Sequence, residues 1–279
     1  MTQCDVVLHR GNSVVQHGHF NNRVYVMKLS PGDTSDIIRY ADVLIDSKGY
    51  TKVFVKVPES RVNSFTRAGY IPEATVPFFF CGKEPAVFMA KYTDPQRKEV
   101  RDKTVIADAL STALGYAGTR EPQAMPDGFS LMQAQKEDAQ DIAALYRSVF
   151  ETYPFPIIDP EYIKKSMEGS VRYFVIRKSH LLAAVASCEI DKENLNVEVT
   201  DFATNPLFRG RGFAGMLLHA MEAEMKNEGI LLAYTIARAI SRPINATFAG
   251  AGYQFAGMLP NNTNICGSLE NMNVWYRIL

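Results

Sequence analysis

The chain has 279 residues, 47% hydrophobic and 22% charged: enough apolar material for one large core or two ordinary ones, and far from a disordered profile. Thirty basic residues balance thirty acidic ones, which excludes an overall field drawing the protein onto nucleic acid. Cys4, Cys81, Cys188 and Cys266 form no C-x-x-C pair, no apolar run is long enough to span a bilayer, and no signal-peptide pattern opens the chain, so free thiols in the cytoplasm are expected.

The first half reads as α/β. Residues 24–29 and 53–57 pattern as strands, and 36–44 as a helix with Ile37, Ile38 and Ala41 on one face. A helix over 61–67, the pair Gly69-Tyr70 and an apolar strand over 76–80 follow. His17 and His19 have no third ligand at a useful spacing, so they read as part of a polar loop and no metal site is assigned. Residues 98–114 make a helix with Val105, Ile106, Ala109 and Leu110 apolar. The stretch 115–128 carries three glycines and two prolines, the composition of a linker, and divides the chain into 1–125 and 126–279.

The second part opens with a strand over 129–132 and a helix over 137–150, whose Ile142, Leu145, Tyr146 and Val149 share a face. Two prolines keep Tyr153-Pro154-Phe155-Pro156 out of a regular helix, and Asp159 caps a new one with Pro160 at its first position. A hairpin over 171–177 and 181–190 precedes a strand over 195–204. That strand runs into Arg209-Gly210-Arg211-Gly212-Phe213-Ala214, after which Phe213, Met216, Leu217, Ala220, Met221 and Met225 recur at helical spacing. Glycines that let the backbone approach a ligand, unpaired N–H groups at a helix start and two arginines make a pyrophosphate-sized anion site. Gly210, Gly212 and Gly215 also fit G-x-G-x-x-G, but Pro206 intervenes after the strand and the next strand, 231–236, ends in Ala237-Arg238 rather than an acidic residue. A dinucleotide site is therefore the weaker reading. Strands over 255–259 and 272–279 close the sheet, and the polar segment 261–264 with Glu270 and Asn271 is either a solvated loop or part of an acceptor site.

Arg209-x-x-Gly212-x-Ala214, after a strand and a proline, resembles the acetyl-CoA loop of the GCN5-related N-acetyltransferase (GNAT) superfamily. A strand over 231–237, a helix with Asn245 and Phe248, and Gly252-Tyr253 resemble a second block of that family. Thr200-Asp201-Phe202-Ala203-Thr204, Ala233-Tyr234-Thr235-Ile236-Ala237-Arg238-Ala239, Asn261-Asn262-Thr263 and Glu270-Asn271-Met272-Asn273-Val274-Trp275-Tyr276 resemble the β-lysine N6-acetyltransferases. The resemblance implies an α/β (α+β) fold with a mixed, mostly antiparallel sheet flanked by helices. Phe65-x-x-x-Gly69-Tyr70 echoes Phe248-x-x-x-Gly252-Tyr253, so the smaller N-terminal domain reads as a degenerate GNAT half without an acetyl-CoA loop. The implied cosubstrate is acetyl-CoA, with no metal. Its pyrophosphate falls to Arg209, Gly210, Arg211, Gly212, Phe213 and Ala214. Its pantetheine and thioester fall to backbone amides of a bulged strand at Phe202, Ala203 and Thr204, with Asn245 and Phe248 completing that side.

The acceptor amine poses the harder problem. A lysine-type ammonium has a pKa of about 10.4, so reaching the neutral form at pH 7 costs about 4.6 kcal/mol. Glu198 and Asp201, on the strand that ends at the thioester, and Glu189 on its neighbour are the acidic candidates, with Glu198 favoured as base. Phe248 stands where many family members carry the tyrosine that protonates the leaving thiolate, which leaves that step to Tyr234, another group or water. The resemblance implies a small zwitterionic acceptor and the product N6-acetyl-β-lysine, an osmolyte in some microbes. Arg238 or Arg242 offers a fork for its carboxylate; Glu270, Asp201 or Tyr234 offers a partner for its second ammonium; Glu189 and Asn262 complete the substrate set. A protein lysine or a polyamine presents the same amine, and a non-catalytic acetyl-CoA-binding module is a further alternative. The implied partner is a small-molecule amine, with no nucleic acid or membrane and with a homodimer left open.

Overall fold

The computed structural model describes residues 4–119 and 123–279. Val6–Arg10 (β1) and Ser13–Gly18 (β2) form a hairpin that turns at Gly11 and Asn12. Gly11 takes φ +60°, the backbone such two-residue turns need. Arg23–Lys28 (β3) joins β2 antiparallel, and Thr34–Lys48 (α1) crosses over to Lys52–Pro58 (β4), which lies parallel to β3. The crossover helix forms because Ile37, Ala41, Leu44 and Ile45 fall on one buried face, and it ends at Gly49, φ +69°. Val62–Arg67 (α2) leads into the antiparallel pair Ile71–Phe80 (β5) and Glu84–Tyr92 (β6), and β6 also pairs with β4. Pro95–Lys98 (α3) and Lys103–Leu114 (α4) follow.

The second half repeats the scheme with more strands. Phe129–Gln133 (β7) precedes Ala139–Val149 (α5) and Pro160–Glu168 (α6), the latter capped by the Asp159 carboxylate on Glu161 N–H. Val171–Lys178 (β8), Leu181–Asp191 (β9) and Asn196–Thr204 (β10) run antiparallel in turn, with β7 against β8. Phe213–Asn227 (α7) crosses to Leu232–Arg238 (β11), parallel to β10. Arg242–Gly250 (α8), Gln254–Ile265 (β12) and Ser268–Ile278 (β13) finish the chain, with β13 inserted beside β11. Both halves thus carry strand, helix, parallel strand, short helix and a hairpin whose second strand enters next to the parallel one. The local detail repeats too. Tyr70 N–H donates to the Phe65 carbonyl at 3.1 Å and Tyr253 N–H to the Phe248 carbonyl at 3.0 Å, with Gly69 and Gly252 at φ +87° and +86°.

Among the described residues thirteen strands form one sheet, in the order β1-β2-β3-β4-β6-β5-β12-β13-β11-β10-β9-β8-β7. The halves join where Gly257 of β12 meets Ala74 of β5. A Cβ on Gly257 would lie 2.3 Å from the Glu73 carbonyl oxygen, so glycine is what lets the strands meet. On one face of the second half, Met216, Leu217, Phe248 and Trp275 share a core with β9 and β11. On the other face, Tyr25, Phe54 and Phe88 share a core with Leu232, Tyr234 and Met272, so the two halves are packed together there. No helix among the described residues is long and apolar enough to cross a membrane.

Several local expectations are corrected. The helix expected over 98–114 starts only at Lys103, because Asp102 takes φ +54° and cannot continue a helical run. His17 lies in β2 with its Nδ1 3.1 Å from the Tyr50 hydroxyl, not in a loop. Residues 261–264 belong to β12, and Asn261, Asn262 and Thr263 are buried, so this segment is not a solvated loop.

Candidate active site

Two cavities meet at one bulge. The parallel pairing of β10 with β11 ends at Glu198 opposite Tyr234, after which the strands part. The pairing of β10 with β9 skips Asp201 and Phe202, and Asp201 takes φ +57°. Ala203 and Thr204 are back in register with Val185 and Ala184 on the β9 side, while among the described residues the pairing with β11 does not resume past Glu198. A groove of about 390 Å³ opens here, lined by Thr200, Asp201 and Phe202 on one strand and Ile236, Ala237 and Arg238 on the other. Phe202 meets Phe248 edge to face at 5.5 Å on the groove wall.

The loop beyond the groove is an anion cradle. Gly210 and Gly212 sit at φ +78° and +75°, and Gly212 is the N-cap of α7. Among the described residues no side chain caps that helix and no acidic residue lies in its first turn. The N–H groups from Phe213 onward are left for an external acceptor, and the helix dipole favours an anion there. Arg209 lines the groove, and the Arg211 guanidinium lies 5.8 Å from the centre of the Phe129 ring.

The second cavity, about 310 Å³, lies on the face where the halves meet. Arg23, Tyr25 and Lys56 of the first half line it together with Glu189, Glu198 and Asn262 of the second. Tyr153, Thr200 and Asp201 line both cavities and form the throat between them. Asp201 accepts from Ser187 Oγ at 2.6 Å and from the Tyr153 hydroxyl. Lys56 Nζ donates to the Tyr234 hydroxyl at 2.9 Å, and that hydroxyl donates to Glu198 Oε2 at 2.9 Å. Glu198 stands directly across the ladder from Glu189. Both residues are half-buried and line the cavity. Burial first, and then the charges of Glu198 and Asp201, push the Glu189 carboxyl up to about 8. Burial also raises Glu198, against the pull of Lys56 and the Tyr234 hydrogen bond. Lys56 itself is drawn down by burial, but Tyr25 and Glu198 outweigh this and its net shift is upward.

The model of the Acetyltransferase (GNAT) family matches residues 139–242. The β-lysine N(6)-acetyltransferase of Methanococcus maripaludis is 37% identical over 98% of this chain and 98% of its own. That of Methanosarcina mazei is 32% identical over 82% of this chain and 91% of its own. The chain belongs to the GNAT acetyltransferase family. The solved ribosomal-protein-S18-alanine N-acetyltransferase of Escherichia coli is 13% identical, covering 54% of this chain and 93% of that one, at a TM-score of 0.47. The protein is an acetyl-CoA-dependent N-acetyltransferase. Its residues fit the cosubstrate: an uncapped helix start behind two left-handed glycines suits a pyrophosphate, and the bulge leading to it suits the thioester. Among the described residues no group of three His, Cys, Asp or Glu is arranged to hold a metal.

Not every expected residue of this acetyltransferase reaches the site. Asn245 is wholly engaged elsewhere. Its Nδ2 donates to the carbonyls of Arg238 and Ser241, and its Oδ1 accepts from Asn273 Nδ2 and Trp275 Nε1. It has no hydrogen-bonding site left for a cofactor. Tyr234 lines the amine-side cavity and not the acetyl groove, so it is not placed to protonate a thiolate there. Arg238, paired with Glu270 at 2.9 Å, lines the acetyl groove, and neither residue lines the amine-side chamber, so neither reaches the far end of an acceptor held there. Arg242 pairs with Asp108 of α4 with 58% of its side chain exposed, outside both cavities. Three residues that sequence reasoning did not assign do line the site, Arg23, Tyr25 and Lys56, and they carried no signal of it. Tyr153 also lines it, from the proline-bracketed aromatic segment that the family resemblance gives to the acceptor pocket.

Proposed function

We propose that the protein transfers the acetyl group of acetyl-CoA to the N6 amine of β-lysine, giving N6-acetyl-β-lysine. The observation that carries this reading is the throat at Tyr153 and Asp201, which joins an acetyl-CoA groove to an enclosed, charged chamber built from both halves. Two relatives named for that activity, 37% and 32% identical, support the acceptor. A chamber walled on both sides favours a free small amine over a lysine on a folded protein.

Acetyl-CoA supplies the activated acetyl group. Backbone donors at the bulge stabilise charge on the acetyl oxygen as the amine nitrogen bonds to the carbonyl carbon and the carbon–sulfur bond breaks. The amine proton passes to Glu198, which shares the load with Glu189, and the departing thiolate takes a proton from the Tyr153 hydroxyl. Burial holds that hydroxyl well above the ordinary tyrosine range, so it stays a donor at working pH.

In this reading the chain has two units, 1–125 and 126–279, the first a degenerate acetyltransferase half kept for the wall it gives the acceptor. The cytoplasm is the proposed compartment, and a homodimer is a separate proposal that sedimentation tests. Thiol release from acetyl-CoA with β-lysine, α-lysine, diamines and a lysine peptide tests the activity. β-Lysine should give the highest kcat/KM. Release with the peptide alone would move the acceptor to protein lysine, and none with any amine would leave an acetyl-CoA-binding module.

A further inference from the structure

Arg23 is a buried cation without an anion. It is 3% exposed, and its hydrogen bonds go to neutral groups: the Asn262 carbonyl, Thr263 Oγ1 at 3.1 Å and Gln16 Oε1 at 3.4 Å. Among the described residues its Nε has no partner. Asp5 and Glu198 act on it only through space, and Asp5 is taken up by Phe20 and Asn21. Two more buried cations lie close by. Lys52 pairs with Glu73 at 3.0 Å, while Arg97 donates to Asn261, Asn21 and Thr51, all neutral. Three buried cations therefore face one paired carboxylate. A buried guanidinium left without a counter-charge is unfavourable, and a ligand anion relieves it.

Asn262 supplies the opposite need. It is 1% exposed, its Oδ1 has no partner among the described residues, and its Nδ2 reaches only Thr263 Oγ1, at 3.4 Å. Because Arg23 is bonded to the carbonyl of Asn262 itself, an unused charged donor and an unused acceptor are neighbours on one wall. A carboxylate and an ammonium separated by one or two carbons match that pair; a polyamine or a peptide-bound lysine does not. Both residues line the amine-side chamber and neither lines the acetyl groove, so a ligand held here by its head points its tail toward the throat at Tyr153 and Asp201.

We infer that Arg23 and Asn262 read the zwitterionic head of the acceptor, Arg23 taking its carboxylate and the Asn262 amide oxygen its ammonium, and that the N-terminal half is thereby the specificity element of the enzyme. The inference rests on the chamber being the acceptor site for acetyl transfer. It assigns to a residue of the first half the recognition that Arg238 and Arg242 do not reach.

The test uses full-length enzyme and substrate analogues first, because Arg23 is buried and a variant can fail to fold. With β-lysine carboxamide in place of β-lysine, KM should rise about 10- to 100-fold, the range of a charge-assisted hydrogen bond, with kcat changed less than about three-fold. With 6-aminohexanoate, which lacks only the second amine, KM should rise about 10-fold. Arg23→Gln should raise KM for β-lysine by the carboxamide's factor and add nothing further for the carboxamide; Asn262→Leu should behave the same way toward 6-aminohexanoate. Arg23→Lys should restore part of the lost affinity. Equal KM for β-lysine and its carboxamide on the wild type would overturn the inference while leaving the acetyltransfer reading intact. An Arg23→Gln loss of the same size for both acceptors would also overturn it, since that pattern is structural damage. Acetylation of no amine would remove both.

Discussion

Glu189 and Glu198 face each other as a directly paired couple on β9 and β10, two carboxyls on the wall of one buried chamber. Like charges this close do not ionise independently, and the pair titrates as a unit. Burial and the charge of Glu198 lift the Glu189 carboxyl to about 8, while Lys56 and Tyr234 draw Glu198 back toward its ionised form. A base must be ionised to take a proton, so kcat/KM falls as pH drops through the Glu198 ionisation, an acid limb displaced above the ordinary carboxylate range. Glu198→Gln should lower kcat by about 100-fold with little change in KM for acetyl-CoA. Any ionisation left in the profile, that of Glu189, should move to lower pH, because the charge that raised it is gone. Wild-type kcat in this variant would return the role to Asp201 or to selection of the neutral amine.

Tyr153 is the proposed thiolate acid, since Phe248 cannot be one. Phe248 is fully buried against Phe202 and carries no proton to give, whereas Tyr153 lines the throat on both sides and holds its hydroxyl on Asp201. Tyr153→Phe should lower kcat by about 10- to 100-fold, less than a full general-acid loss because coenzyme A is a good leaving group. KM for acetyl-CoA should stay within about two-fold. An activated thioester with a better leaving thiol should recover most of the lost rate; failure to recover would show that Tyr153 only positions Asp201.

What could be read from sequence divides along physical lines. The backbone form of the loop from Arg209 to Ala214 was legible because glycines at positive φ, a helix start and the strand before it are local features. The repeat Phe65-Gly69-Tyr70 and Phe248-Gly252-Tyr253 was legible for the same reason, since each is a short helix ended by a glycine. The hairpin of β1 and β2 was overlooked although its turn, Gly11-Asn12, is a recognised hairpin signal; β1 is an exposed edge strand with little apolar alternation to mark it. Arg242 was offered as a fork for the acceptor carboxylate, but Ser241 caps a helix whose first residue, Arg242, pairs with Asp108 instead. Arg23 and Lys56 were out of reach. Nothing near them in sequence hints that β5 will meet β12 at Gly257 and bring the first half over the Glu198 strand.

Gly212 should be sensitive to any side chain. Its φ of +75° disfavours an L-residue by about 1–2 kcal/mol, and a Cβ would fall 2.1 Å from Gln123 Oε1. Gly212→Val should therefore raise KM for acetyl-CoA by about 10-fold or more, with the KM of the amine nearly unchanged. Gly210 is open around its Cβ, so Gly210→Ala should have the smaller effect. Equal, small effects from both would place the pyrophosphate away from this loop.

Asn245 makes the last case, because its role is structural rather than catalytic. It ties β11 to β13 by accepting from Asn273 and Trp275 while donating to the carbonyls of Arg238 and Ser241. Asn245→Ala leaves two buried donors, Asn273 Nδ2 and Trp275 Nε1, without partners, while the Arg238 and Ser241 carbonyls keep their backbone donors, so urea unfolding should show a loss of about 2 kcal/mol or more. Asn245→Asp keeps the two acceptor bonds but turns an oxygen toward two carbonyls. The introduced carboxyl is then held above its unfolded pKa of about 3.9, since burial and the carbonyls disfavour its charge. A group whose folded pKa is raised destabilises the native state above the unfolded value, so this variant should gain stability relative to wild type as pH falls from 7 toward 4. Asn245→Ala should show no such recovery. For either variant, KM for acetyl-CoA measured at a temperature where it is folded should stay within about three-fold of wild type. A larger rise without loss of stability would return Asn245 to the cofactor site.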